Sequence, residues 1–304
     1  MSALGPLLLI AGLVLVVAGA ETFFEGVLAT ARRFRLSPFV LTVLVSGFEL
    51  ENLAAGIALD LHKLPDAAAG TFLGGTTFLA LGVAGLSATT APIRAELPAP
   101  VLVWSLAGPL PLLAVGVDGR LSRADGGVLL AWSLICLAGL AYAGRGIVGG
   151  QPLRPRRFAL VRMLAGLAVL SGGGELVGEG LRRTVSSLHV SGGLLGNTAV
   201  AAAVEAEEVG RVAVPARRGR GDVALANVLG TVVHFAAFNA GVIALARPLE
   251  LGSVSRHLHL PVAAASVAVL VSALATRGGL SRRDGALLLA AYAAYVATAI
   301  AVSV

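Results

Sequence analysis

Runs of about twenty apolar residues, cut by short polar breaks, fill this chain from end to end. A helix needs roughly 20 mostly apolar residues to cross a bilayer. Ten such stretches can be drawn, at 4–29, 37–61, 67–92, 98–118, 125–144, 158–181, 188–214, 221–246, 259–276 and 284–303. The breaks carry turn and charge signals, among them Arg32-Arg33-Phe34-Arg35, Leu64-Pro65-Asp66, Gly119-Arg120 and Arg282-Arg283-Asp284. The pattern predicts an all-α integral membrane protein of about ten transmembrane helices. Met1 to Val17 has no basic flank and no clear cleavage site, so it reads as part of the first span rather than a signal peptide. The longest break, about residues 145–157, divides the chain into a first half, 1–150, and a second, 151–304, of five spans each.

Composition agrees. Hydrophobic residues make up 57% and charged residues 13% of the chain, about half the charge a soluble domain carries (about 25%). The net charge of +6 comes almost wholly from arginine, with Lys63 the only lysine. These arginines lie in the breaks, the positive-inside arrangement of a membrane protein, and not in a nucleic-acid-binding face. Odd-numbered loops hold 14 of the basic residues and even-numbered loops 7, which predicts cytoplasmic odd loops and both termini outside. The expected setting is the plasma membrane of a prokaryote. Cys136 is the single cysteine, which excludes disulfides and cysteine-rich metal sites.

An internal repeat shapes the polar positions within the spans. Glu49, Glu51 and Asp66 recur as Glu205, Glu207 and Asp222, each at an offset of 156. The same offset pairs Thr42 with Thr198 and Gly74 with Gly230. Glu21 and Glu25 answer Glu175 and Glu179 at an offset of 154, and each pair is followed by two arginines. Five spans, an odd number, separate the related elements, so two inverted five-helix repeats are expected. Inverted repeats recur in secondary transporters, with the site near the midplane between them.

Around these segments the sequence resembles the calcium/cation antiporter superfamily, of the sodium/calcium exchanger membrane-region type. The resemblance lies in Gly47-Phe48-Glu49-Leu50-Glu51-Asn52, followed by Pro65-Asp66-Ala67-Ala68-Ala69-Gly70 and Gly74. The second copy has Gly221-Asp222-Val223-Ala224-Leu225-Ala226-Asn227-Val228-Leu229-Gly230-Thr231. It implies two α-repeats, at about 38–92 and 190–246, and an ion site between them. Counted back from each Asp, the family's ion-binding Glu falls on Asn52 and Glu208, and its upstream hydroxyl ligand on Glu49 and Glu205. A slip of one residue puts that Glu on Glu51 and Glu207 instead. The small polar ligand of the next span falls on Gly75 and Thr231, and the later Asn or Asp on Leu79 and Phe235, which offer no side-chain ligand.

Charged groups inside a span are expensive and normally face a polar cavity. Residues three apart share a helix face, so Glu49 with Asn52, and Glu205 with Glu208, are the candidate metal-ligating set. All-oxygen ligation suits a hard cation such as Ca²⁺, Na⁺ or Mg²⁺, and clustered carboxylates also take up protons. Arg211, at i+4 from Glu207, is expected to neutralise that residue and favour Glu205 and Glu208 as ligands. Thr76, Thr77 and Thr231 are candidate hydroxyl ligands or else bond their own helices. Glu21, Glu25, Glu175 and Glu179 read as an access path or as carboxylates at a wet membrane edge. Asp66 and Asp222 are expected to cap the helices they begin, His234 to be a packed polar group, and Ser171-Gly172-Gly173-Gly174 to be a close helix-packing surface.

The expected function is secondary antiport, Ca²⁺ or a related cation against Na⁺ or H⁺. Alternatives are a monovalent cation/proton antiporter on the same scaffold and a non-transporting membrane scaffold. An intramembrane enzyme finds no H-E-x-x-H or Ser–His pairing in the spans, and no ATP-binding motif is present. The expected partners are the lipid bilayer and the transported cations, with no cofactor, no nucleic acid and no obligate protein partner.

Overall fold

The computed structural model describes residues 4–47, 50–147, 158–187 and 206–303, with backbone alone at 50, 51, 185–187 and 303. Eight helices among the described residues are long and apolar enough to cross a membrane. They are α1 (Leu4–Arg33), α4 (Pro65–Thr90), α5 (Ala99–Asp118), α6 (Arg123–Gly144), α7 (Ala159–Thr184), α9 (Gly221–Ala246), α10 (Ser255–Arg277) and α11 (Arg282–Val302). Three shorter helices complete the set: α2 (Pro38–Val45), α3 (Leu50–Leu61) and α8 (Ala206–Arg217).

Eight of the ten expected spans are therefore single long helices. The expected span 37–61 is instead divided into α2 and α3: α2 ends at Val45 with Ser46 as its C-cap, and Gly47 lies against the His234 ring. Of the expected span 188–214, residues 188–205 lie outside the described residues, and α8 supplies the rest.

The two halves share their segmentation. α4 runs as α-helix Pro65–Thr77, a π-turn Phe78–Val83 and α-helix Ala84–Thr90. α9 runs as Gly221–Val233, His234–Asn239 and Ala240–Ala246. Every boundary matches at the offset of 156 found in the sequence. A π-turn inserts one residue into a helix and is frequent at functional sites.

Two short antiparallel ladders tie the halves together. β1 (Ile93–Arg94) pairs with β4 (Gly279–Leu280), and β2 (Arg120–Leu121) pairs with β3 (Leu249–Glu250). Each strand that follows a π-turn helix thus pairs across to the other half. Ser122 with Asp125 opens α6 by a capping box, and Ser281 with Asp284 makes the same reciprocal bonds at the start of α11.

Burial separates a core from a periphery. In α4 and α9 the apolar window is 72% and 83% buried, against 11% in α11. The two π-turn helices are the centre, and the outer helices present apolar side chains such as Leu7, Ile10, Val161 and Leu287 to the surrounding lipid.

α1 and α7 form a separate antiparallel pair packed backbone to backbone. Glycines recur every seven residues on both: Gly5, Gly12, Gly19 and Gly26 on α1, and Gly166, Gly173 and Gly180 on α7. A Cβ added to Gly12 would lie 2.6 Å from the Val177 nitrogen, and one on Gly19 2.5 Å from the Leu170 nitrogen. Small residues let membrane helices approach this closely, so of the expected glycine surface Gly173 is in the contact, whereas Gly172 faces open space. Replacing Gly19 with Leu is expected to force α1 off α7 and lower stability by about 1–3 kcal/mol, the usual cost of overpacking. Melting in detergent reads this, with Gly172→Ala as the control that leaves the transition in place.

Asp66 and Asp222 correct an expectation. Both stand in the first turn of their helices, but neither helix has a side-chain cap bond. Asp66 Oδ1 accepts from the Gly252 backbone N–H at 2.9 Å and from Ser255 Oγ at 2.7 Å, joining α4 to the start of α10. Asp222 is held by Arg220 through two bonds, at 2.8 and 2.7 Å. A long-range partner takes the place of the local cap at Asp66, and the neighbouring Arg220 takes it at Asp222.

Candidate functional site

Polar groups meet where α2, α7, α8 and α9 converge. On α8, Glu207, Glu208 and Arg211 are all buried, with Glu208 at 0% exposure. Helical spacing lets Arg211 reach both carboxylates, at i−3 and i−4. Its Nη1 donates to Glu208 Oε1 at 2.5 Å and its Nη2 to Glu207 Oε1 at 3.2 Å. The second oxygen of each carboxylate is engaged as well. Asn227 Nδ2 donates to Glu208 Oε2 at 2.8 Å, and Ser171 Oγ to Glu207 Oε2 at 2.8 Å.

The break between α2 and α3 contributes a backbone oxygen. The last carbonyls of a helix have no intrahelical partner, and Ser46 stands at the C-terminus of α2. Its carbonyl accepts from Arg211 Nη1 and from Thr231 Oγ1, each at 3.2 Å. Gly230 lets α2 come this near, because a Cβ there would lie 2.6 Å from Ser46 Oγ. One helical turn further along α9, His234 is buried, its Nδ1 2.9 Å from the Gly230 carbonyl and its ring edge-on to Phe238. A neutral imidazole that donates to this carbonyl keeps its other nitrogen as an acceptor.

The arrangement is a buried ionic triad wrapped in neutral donors. Such a group is costly to desolvate and strongly destabilised when one member is removed. Asn227 Oδ1 is buried and has no hydrogen-bond partner among the described residues. Its amide nitrogen is committed to Glu208, which leaves the oxygen as the unused hydrogen-bonding atom of that side chain.

The expected site residues divide as follows. Glu208 and Thr231 fall in the cluster, as expected. Glu207 falls there too and pairs with Arg211 as its i+4 spacing predicts, but Arg211 also bonds Glu208, which corrects the expectation that Glu208 would be spared. Glu49 and Glu205 lie outside the described residues, as does the Glu51 side chain, so the convergence expected of Glu49 with Glu205 falls outside them too. Asn52 is half-buried on α3. Thr76 and Thr77 are buried and bond their own helix, at Phe72 and Leu73. Gly75, the counterpart of Thr231, holds the Phe235 ring against α4. The two halves thus present different chemistry at matched positions.

The carboxylates of α1 and α7 are engaged in ion pairs. Glu25 meets Arg162 at 2.5 Å, Glu21 meets Arg218 at 2.9 Å, and Glu179 is held by Arg182 and Arg183. Glu21 pushes the pKa of Arg218, in the loop after α8, above its ordinary value, so that residue stays charged at any physiological pH. Glu175 is exposed. Among the described residues no three His, Cys, Asp or Glu side chains are grouped to hold a metal ion.

Sequence reasoning missed three contributors: Ser171, Asn227 and the Ser46 carbonyl. Asn227 stood in the quoted Gly-Asp motif, and its position one turn before Thr231 placed it on the same helix face.

A bundle of long apolar helices around two π-turn helices, with a buried ionic cluster at a broken helix, defines an integral membrane transporter. The chain belongs to the sodium/calcium exchanger protein family, whose sequence model matches residues 4–141 and 158–301. Members of that family are transporters and not enzymes, and the chain is a cation antiporter in that broad sense. A solved structure of the sodium–calcium exchanger NCX_Mj superposes with a TM-score of 0.83 at 26% identity, covering 99% of each chain. The inner membrane protein YrbG of Escherichia coli is 28% identical over 82% of this chain and 82% of its own length. The membrane protein MJ0091 of Methanocaldococcus jannaschii is 28% identical over 94% of this chain and 95% of its own.

Proposed function

We propose that this protein is a secondary antiporter working by alternating access, exchanging either Ca²⁺ or a related cation for Na⁺ or H⁺, or a monovalent cation for a proton on the same scaffold. The observation that carries the reading is the buried oxygen cluster at the α2–α3 break. Glu207, Glu208, Asn227, Thr231 and the Ser46 carbonyl supply hard oxygen donors, the chemistry that Ca²⁺, Na⁺ and H⁺ share. NCX_Mj is a sodium–calcium exchanger, which supports these ions for a chain of the same fold.

The halves act as an inverted repeat. α1 and α7, related at an offset of 154, pack antiparallel, with Gly5 near Thr184 and Gly26 near Met163. The matched π-turn helices form the fixed centre and α1 with α7 the moving pair, since glycine-lined backbones present few side-chain knobs to lock the pair. The arginine distribution supports cytoplasmic odd loops, outside termini and a plasma-membrane location in a prokaryote. The transported cations are the only small molecules required, and a single chain carries both halves, with no obligate protein partner.

The test is tracer uptake into proteoliposomes carrying one imposed gradient of Na⁺, H⁺ or Ca²⁺ at a time. Uptake of one cation driven only by an opposed gradient of another is expected. Flux equal with and without a counter-ion gradient contradicts antiport.

A further inference from the structure

Of the 23 Lys and Arg residues, two lie inside the expected spans, Arg162 and Arg211. Arg162 is about one-third exposed and pairs with Glu25 beside α1, whereas the Arg211 side chain is 2% exposed at the centre of the cluster. Its guanidinium touches Glu207, Glu208 and the Ser46 carbonyl together. Two carboxylates and a helix-end carbonyl are the oxygen set that a metal cation would use. The matched positions of the first half are Glu51, Asn52 and Ala55, so the arginine belongs to the second half alone.

Resting on the antiport reading above, we propose that Arg211 is a tethered cation: its guanidinium fills one cation subsite permanently, and the site left beside Asn227 takes a monovalent cation or a proton instead of a divalent one. The guanidinium offsets the charge of one of the two carboxylates it touches, which weakens the attraction for a divalent ion twice as much as for a monovalent one. A divalent ion would find two carboxylate oxygens taken by the guanidinium and would be repelled by it at close range, where Coulomb terms are weakly screened. The unpartnered Asn227 Oδ1 is the second, independent sign of a vacant ligand position. It is a neutral carbonyl oxygen within the same cluster, an oxygen that a monovalent ion binds without adding charge. Arginine suits the tethered role because it stays protonated at all accessible pH and spans two carboxylates in a fixed fork.

The experiment measures the thermal stability of the purified protein in detergent against Ca²⁺ and Na⁺ titrations, for the wild type and Arg211→Met. Bound cations raise the melting temperature in proportion to their occupancy. In the wild type Na⁺ but not Ca²⁺ is expected to stabilise. In Arg211→Met, with two carboxylates freed, Ca²⁺ is expected to stabilise with an apparent affinity at least about tenfold tighter than in the wild type. Recovery of that variant only when Ca²⁺ is present throughout purification is the same result in another form. Should it fail in both media, Arg211→Gln, which removes the charge but keeps a polar head beside the carboxylates, is titrated in its place. Tighter Ca²⁺ stabilisation than in the wild type then supports the proposal, and Ca²⁺ stabilisation unchanged from the wild type overturns it. Equal Ca²⁺ stabilisation of the wild type and Arg211→Met also overturns it. Antiport by the wild type is scored separately by flux, so a wild type that exchanges Ca²⁺ refutes the tethered-cation proposal while leaving the antiport reading intact.

Discussion

Glu208→Ala is expected to lower stability by about 3–5 kcal/mol, the typical cost of stripping one partner from a buried ion pair. Glu208 is fully buried and its two oxygens bind Arg211 and Asn227. Removing it leaves the guanidinium facing one carboxylate and strands the Asn227 amide. It also adds a cavity, which the rigid packing of α8 against α9 closes only in part. Glu208→Gln separates charge from volume. The amide fills the space and still accepts from Asn227, but it presents an N–H₂ or a neutral oxygen to Arg211. The melting temperature of Glu208→Gln should therefore fall between those of the wild type and Glu208→Ala. Equal melting of all three proteins would show that Arg211 does not depend on this carboxylate.

Gly47→Val carries the second large effect. A side chain built on Gly47 would land within the His234 ring. His234 has little room to retreat: it is buried, bonds the Gly230 carbonyl and packs on Phe238. Accommodating valine requires α2 to separate from α9, which would pull the Ser46 carbonyl away from Arg211 and Thr231. Loss of exchange together with a lowered melting temperature is expected, by more than the ~1–3 kcal/mol typical of overpacking. Gly47→Ala in a His234→Ala background vacates the ring and should recover much of the stability. No recovery in the double variant would mean that the glycine is needed for another reason, such as backbone freedom at the break.

Much of this was legible in the amino-acid pattern. Eight expected spans match long helices because hydropathy over about 20 residues is a strong local signal. The offset of 156 survived into structure down to the limits of the π-turns, since both halves meet the same packing demands. The break at Ser46-Gly47 was not legible, because hydropathy over 37–61 averages across it and the close contact at Gly47 is with an imidazole nearly two hundred residues away. The Arg211 geometry was half legible. Helical spacing allows i−3 and i−4 partners alike, and the choice between them depends on Ser171 and Asn227 fixing the other carboxylate oxygens. Asp66 and Asp222 read as caps from local sequence, but Gly252 and Ser255 claim Asp66 across the fold and the adjacent Arg220 claims Asp222.

The glycine heptads of α1 and α7 have the same lesson for function. Seven-residue spacing on both helices keeps one smooth face along each. Glu25–Arg162 joins α1 to α7, whereas Glu21–Arg218 joins α1 to the loop after α8.

The central claim is that the Glu208 cluster is the cation site of an antiporter. Its most direct test is counter-ion-driven tracer exchange by wild-type protein, Glu208→Gln and Glu175→Gln, reconstituted at equal protein content. Glu175 is exposed on α7 and serves as the control carboxylate. The account predicts exchange in the wild type and Glu175→Gln and its loss, by at least about a hundredfold, in Glu208→Gln, since a binding carboxylate contributes on the order of 3 kcal/mol or more. Exchange by Glu208→Gln at the wild-type rate would contradict it.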